Sequence, residues 1–234
     1  MARGKQSSGQ CMYCEQIMSK GGMSKHLSTW VPGSGGCAKR MTLLAKTHSS
    51  HTGDERLHHL RVQADGQPMF WLDLEMRGAA TLTDLDHYLR AIWLECCGHM
   101  SQFSFGGWGG EEIVMSRTIN AVLQPDATLT HIYDFGTSSE TLITSVGIRK
   151  GKPTSAHPIV LMARNMMPEA RCIECGQPAR WLCNECLIEY ETTGTLCDIH
   201  VETHPHDGYG PPVELVNSPR MGMCGYTGPA SPPY

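Results

Sequence analysis

Eleven cysteines and twelve histidines in 234 residues are the side chains with most chemistry to offer, and their spacing shows what that chemistry is. The densest group lies late in the chain: Cys172-x-x-Cys175, Cys183-x-x-Cys186, Cys197-x-x-His200, then His204 and His206. A CxxC turn wraps its backbone amides around the first sulfur and presents two thiolates to one ion, and a tetrahedral ion then needs a second such pair. Four pairs supply eight ligands, which is two complete zinc sites. Spacing alone leaves open which pairs share an ion, including a sequential arrangement of the first pair with the second. Under either arrangement the segment is expected to be unfolded without metal, because so short and polar a stretch has little core of its own.

A second constellation opens the chain: Cys11-x-x-Cys14, then His26, then Cys37. The first three match a zinc finger, a CxxC knuckle followed by a short helix that carries the histidine, with Lys20 to Leu27 as its approach. The gap to Cys37 contains Pro32 to Gly36 (PGSGG), a loop that closes at modest entropy cost. His48 or His51 is the alternative fourth ligand. Lys20, Lys25, Lys39 and Arg40 make this a basic finger able to touch nucleic acid, or a zinc-stapled knob with solubilising cations. A lone finger reads only about three base pairs, too few for much sequence specificity.

Twelve ligands therefore account for about three structural Zn2+ ions. Each site is coordinatively closed, which leaves no position for a reactive water. His200-Val201-Glu202-Thr203-His204 is not the zincin motif, whose Glu follows the first His directly, and no PCxxC follows His200-x-Glu202 as a deaminase requires. Asp134-Phe135-Gly136 matches the kinase triplet by letters only, since no Gly-rich phosphate loop accompanies it. With no acid/base or nucleophile constellation visible, a binding or scaffold role without catalysis is expected, and no small-molecule substrate is implied. Cys96 falls on an apolar helical stripe and Cys97 and His99 at the helix end, where packing is the economical role and a redox or metal role the alternative. Cys224 is left over as a packing residue.

Composition agrees. An odd cysteine count forbids complete intramolecular pairing. No apolar run approaches the roughly 20 residues of a membrane helix, and residues 1–10 have no apolar signal core, so a reducing cytoplasm without membrane association is expected. The net charge of −4 hides a partition. Residues 1–46 carry seven basic side chains against Glu15 alone, while the remainder is acidic.

The elements that must position these residues read as α+β. His59 to Ala64 and Met69 to Met76 alternate apolar and polar residues around Asp65-Gly66, which predicts a hairpin. Thr81 to Cys97 places Leu82, Leu85, Leu89, Ile92 and Trp93 on one face, with a capping box at Thr81 and Asp84 and a stop at Gly98. Ser101 to Phe105 reads as a strand, Ser116 to Leu123 as a short helix, and Thr128 to Phe135 with Thr141 to Ile148 as a second hairpin-like pair. This order favours a small mixed sheet with one long helix packed on one face. The expected organisation is a basic finger segment (1–46), an α+β domain (56–168), a double-zinc module (169–226) and a disordered tail (227–234).

Several strings resemble a known family. HLRVQADGQPMFWLD (59–73), LTDLDHYLRAIWLECCGHMSQF (82–103) and IYDFG (132–136) are similar to the plasmid ORF-three-like family, named after a reading frame of an Ri plasmid and associated in places with a transposon-passenger, resolvase-like label. IVLMARNMMP (159–168), the cysteine cluster and VNSPRMGMCGY (216–226) resemble the extension of its zinc-bearing bacterial members. The resemblance implies a small β-grasp-like domain and, as a lower alternative, a recombination-associated mobile-element protein; the serine or tyrosine recombinase residue sets are not visible in the acidic middle. The late ligand order also resembles the cross-brace of B-box zinc fingers, modules of protein-protein adaptors. That resemblance implies Cys172, Cys175, Cys197 and His200 in one site and Cys183, Cys186, His204 and His206 in the other. Other family members place cysteines where His200 and His206 stand.

Overall fold

The computed structural model describes residues 7–28, 36–47, 53–94, 98–125, 127–206 and 208–234. At the front, β1 (Ser8–Cys11) and β2 (Ile17–Ser19) pair antiparallel across the Cys11–Cys14 turn, and α1 (Lys20–Ser28) and α2 (Ala38–Thr47) follow. The hairpin expected around Asp65-Gly66 forms as β3 (Glu55–Ala64) and β4 (Trp71–Arg77). Thr81 caps α3 (Leu82–Leu89) reciprocally with Asp84. The helix then widens into a π turn over Arg90–Leu94, so the single long regular helix expected from 81 to 97 is a shorter α segment with an altered end, residues 95–97 lying outside the described ones. β5 (Ser101–Phe105), β6 (Glu111–Ile113), α4 (Ile119–Val122), β7 (Thr128–Tyr133), β8 (Ser139–Gly151) and β9 (Ile159–Asn165) complete the domain.

These nine strands form one sheet in the order β2-β1-β9-β4-β3-β8-β7-β5-β6, and every pairing in it is antiparallel. The expected small mixed, β-grasp-like sheet is corrected to a large antiparallel one. Two physical reasons account for this. Most strand connections are short, which favours antiparallel neighbours over crossovers. The N-terminal segment also contributes strands of its own: β1 pairs with β9 through Gly9–Asn165 and Cys11–Ala163, so residues 8–19 extend the domain sheet.

Both faces of β4 are buried, which single-face alternation does not anticipate. Leu72, Leu74 and Met76 pack with Leu82, Leu85, Leu89 and Trp93 of the helical segment in the main core. The opposite face carries Trp71, Asp73 and Glu75, all buried. Its carboxylates are paired: Asp73 with His59 (2.8 Å) and Arg61 (2.9 Å), Glu75 with Arg40 (2.6 Å) and Arg149 (2.6 Å). Arg61 also donates to Ser24 Oγ (2.5 Å) and Lys20 O (3.1 Å), and Arg40 to Leu27 O (2.9 Å). An ionic layer thus joins α1 and α2 to the sheet.

The late segment builds a second, three-stranded sheet from β10 (Trp181–Leu182), β11 (Thr195–Leu196) and β12 (Val213–Glu214), with α5 (Asn184–Ile188) between the first two. Beyond β12 the chain returns to the main domain. Asn217 Nδ2 donates to Asn165 O (2.9 Å), and the fully buried Arg220 donates to Thr137 O and Ser139 Oγ, each at 2.9 Å. The tail, expected to be disordered, is held as well. Tyr234, though exposed, stacks on His157 at 4.2 Å, and Arg164 donates to the carbonyl of the buried Ala230 (2.6 Å).

Candidate metal centres

Tertiary structure sorts the twelve proposed ligands into three groups of four: Cys11, Cys14, His26 and Cys37; Cys172, Cys175, Cys197 and His200; Cys183, Cys186, His204 and His206. Within each group the ligand atoms all lie within 4.8 Å of one another. Among the described residues Cys37 completes the first group; His48 and His51 lie outside them. The late groups follow the crossed arrangement, and the sequential one is not formed.

Local backbone explains how each pair is presented. Around Cys11, Glu15 N donates to Cys11 O and Cys11 N to Gln16 O; around Cys172, Gly176 N donates to Cys172 O and Cys172 N to Gln177 O. The two knuckles therefore have the same hydrogen bonds. Each needs a left-handed residue four positions after the first cysteine, supplied by Gly176 (φ +71°) in one and by Glu15 (φ +65°) in the other. Cys183 caps the N-terminus of α5, its sulfur accepting from Cys186 N (3.3 Å), and Cys37 stands just before α2 with its sulfur 3.5 Å from Arg40 N. His26 arrives on α1, held against β1 and β2.

The separations inside each group suit a four-coordinate ion. A tetrahedral ion with Zn–S of about 2.3 Å and Zn–N of about 2.05 Å would hold two sulfurs about 3.8 Å apart and a sulfur and a nitrogen about 3.5 Å apart. Cys11 and Cys37 sulfurs are 3.9 Å apart, and those of Cys175 and Cys197 3.8 Å. Cys14 Sγ stands 3.4 Å from His26 Nε2, and His200 Nδ1 lies 3.6 Å from Cys172 and 3.3 Å from Cys197. The third group is tighter, with Cys186 Sγ 3.2 Å from His204 Nε2 and 3.0 Å from His206 Nδ1.

Outer contacts orient the imidazoles, as second partners of metal-binding histidines do. His204 Nδ1 faces Glu174 at 3.8 Å, a residue of the Cys172 knuckle, so one late group supports the other. Tyr190 stacks on His206 at 4.7 Å. Electrostatics differ between groups. Burial pushes the Cys11 thiol up to about 12 and the Cys186 thiol up to about 11, so these sulfurs are costly to ionise without a cation. At Cys172 burial works upward too, but backbone N–H groups, beginning with that of Cys197, outweigh it and bring the thiol down to about 6.

The four cations expected to touch nucleic acid separate. Lys25 and Lys39 are exposed and Lys20 is half-buried, its ammonium disfavoured by burial and by Arg61. Arg40 is 2 % exposed and committed to Glu75, which corrects its assignment as a phosphate contact. Its place on the inward face of α2, facing the sheet, is the reason.

A fourth group lay unrecognised in the sequence: His99, Asp134 and Cys224. Cys224 is exposed, not a packing residue, and His99 Nδ1 is 2.9 Å from Asp134 Oδ2. Cys96 and Cys97 lie outside the described residues. The pairing of β5 with β7 brings His99 and Asp134 together, and the arm returning after β12 adds Cys224.

No family model matches the chain, and no curated protein matches it. Among solved structures it is similar to a protein of unknown function, MM3350 from Methanosarcina mazei Go1, at 17% identity and a TM-score of 0.41, over 47% of this chain and 69% of that one. A likeness of that size carries no argument about function. Among the described residues no helix is long and apolar enough to cross a membrane.

Proposed function

We propose that this chain is a structural-zinc interaction protein in which three Zn2+ ions fix surfaces for a protein partner. The observation that supports the metal is the sorting of twelve sulfur and nitrogen donors, far apart in sequence, into three sets of four at tetrahedral spacing. Thiolate and imidazole donors in closed four-coordinate sets suit structural zinc. Metal analysis of the purified chain should give about three zinc per molecule. A value near two that Cys37→Ser leaves unchanged would remove the first site.

The adaptor reading is supported by the two knuckles of one late group, which present Ile173 and Ile199 at 38 % and 76 % exposure. Apolar tips on a metal-fixed loop offer a rigid contact at low ordering cost. Ile199→Asp should abolish capture of a partner that the unaltered chain retains, with zinc content unchanged. Retained capture would sink this role.

Nucleic-acid association through the N-terminal finger is the second reading, supported by the exposure of Lys25 and Lys39. If Lys25 and Lys39 are the two cations that meet phosphates, the slope of log affinity against log salt should be only about −2. Binding that survives replacement of both lysines by Gln would exclude it. Membership of the plasmid ORF-three-like family and a cytoplasmic location belong to the same proposal, resting on the resemblance and on composition.

A further inference from the structure

One cluster of reactive side chains has no part in the three Cys/His groups. Around Asp134 Oδ2 stand His99 Nδ1 (2.9 Å), the Cys224 sulfur (3.5 Å) and Arg220 Nη2 (2.6 Å), and the same guanidinium nitrogen is 3.5 Å from that sulfur. Asp134 Oδ1 accepts from the backbone N–H groups of Gly136 (3.0 Å) and Thr137 (3.2 Å), so the carboxylate is fixed from both sides. Neither Asp134 (φ +63°) nor Cys224 (φ +49°) is a glycine, yet both hold left-handed backbone. Such strain persists only where its surroundings enforce it, and it concentrates at sites that act.

Cys224 also borders a cleft of about 610 Å³, with Leu187 and Ile188 of α5 on one side and Met221 and Met223 of the arm on the other. None of the described residues lining it is charged. Gly222 makes the close approach possible: a Cβ there would come within 2.5 Å of Leu187 Cδ2.

Two chemistries compete for this cluster. His, Asp and Cys are a plausible cation set, but the buried guanidinium of Arg220 already occupies the carboxylate oxygen that a cation would take. The Cys224 thiol donates to Asp134 Oδ2, the oxygen that His99 Nδ1 also meets, so one carboxylate joins the thiol to an imidazole while Arg220 stands beside the sulfur, the parts of an assisted nucleophile. An uncharged, apolar cleft suits a neutral substrate with a hydrocarbon chain and disfavours phosphates or anionic peptides.

We propose that Cys224 is a nucleophilic thiol, with His99 as its proton carrier and Asp134 and Arg220 as positioning residues, that accepts an apolar acyl group from an activated ester or thioester. The sulfur attacks the carbonyl carbon and the bond to the leaving oxygen or sulfur breaks. The thiol proton passes by way of Asp134 Oδ2, which meets both the sulfur and His99 Nδ1, to His99 and on to the leaving group, giving an alcohol or thiol and S-acylated Cys224. Water then cleaves the acyl–sulfur bond, giving the carboxylic acid and the free thiol. The four clustered side chains are separate from the proposed zinc ligands, but one wall of the cleft is α5, whose place rests on the structural-zinc reading.

The test uses the full, zinc-loaded chain with 4-nitrophenyl butyrate. The expected result is a burst of about one nitrophenolate per chain and one butyryl group mapped to the peptide containing Cys224, both lost in Cys224→Ser. His99→Ala should slow acylation at least about tenfold, and added imidazole should restore part of the rate, which a merely structural role for His99 would not allow. Iodoacetamide should alkylate Cys224 of the unaltered chain at least about tenfold faster than glutathione at pH 7, a measurement that needs no variant to fold. Acyl groups spread over the zinc cysteines, no imidazole rescue, or alkylation no faster than glutathione would overturn the proposal. So would a fourth zinc per chain that Cys224→Ser removes, which would make the cluster a metal site.

Discussion

The first Cys/His group and the late group built on Cys172 use the same knuckle, and the first and late regions differ in what stands behind their ligands. Cys11 belongs to a strand of the nine-stranded sheet and packs with Met23, Leu27, Trp71 and Met162. Its neighbours α1 and α2 are tied down by the Arg40–Glu75–Arg149 ionic layer. The late groups have no comparable support: their buried cluster consists of Cys172, Cys183, Cys186 and Cys197 with Leu196, flanked by Trp181 and Val201. In the first region the ligands staple a structure that has other reasons to exist. In the second the ligands are the core, and on the proposed reading a bound metal would carry the folding free energy.

The largest expected effect tests that contrast directly. Replacing Cys183 and Cys186 together by Ser should strip both late ions, lowering zinc from about three to about one per chain, and amides between 171 and 214 should lose hydrogen-exchange protection. The nine-stranded sheet should keep its protection; its collapse would break the comparison. Next in size is the ionic layer. Glu75→Gln leaves Arg40 and Arg149 buried against a neutral partner, which costs about 3–5 kcal/mol and lowers the Tm by roughly 10 °C. The loss should fall on the N-terminal helices and leave the late zinc sites filled.

Cys37→Ser should be milder. One zinc is lost and stability falls by about 2 kcal/mol, or roughly 4–8 °C in Tm, with faster exchange confined to α1 and α2 because β1 still pairs with β9. The smallest effect concerns the returning arm and depends on pH. Burial works against the Asp134 carboxylate, but the Gly136 N–H and Arg220 outweigh it and hold it near about 2. A depressed folded-state value contributes stability that is fully present above the unfolded carboxylate range, about 3.9, and lost as pH falls through 2. The stability difference between the unaltered chain and Asp134→Asn should therefore narrow between about pH 4 and 2, measured by denaturant titration at each pH.

Much of the local structure was legible from residue order. The Thr81/Asp84 capping box, the Asp65-Gly66 hairpin and the Ser101–Phe105 strand are short-range signals, decided by neighbours in sequence. The CxxC pairs were legible for the same reason. The mixed-sheet expectation failed because β1 is short, β9 buries its residues without a two-residue period, and their pairing joins residues about 150 positions apart. Asp73 and Glu75 looked like the solvent face of a strand. Periodicity reports that a face is polar, but a polar face can be buried when arginines and a histidine arrive from elsewhere to pair it.

What the sequence by itself determined is therefore the chemistry: twelve soft and borderline donors, at spacings that present them in pairs, suited to three closed tetrahedral sites. Ligand type and local spacing are covalent facts, and coordination chemistry follows from them. Which pairs meet was left to the tertiary structure, since a CxxC pair will accept any second pair that the chain can bring to it. The same holds for Arg40, whose charge the sequence states but whose partner it does not. It holds most of all for Cys224, which meets Asp134 and His99 only because an arm beyond the zinc module folds back across 90 residues of chain.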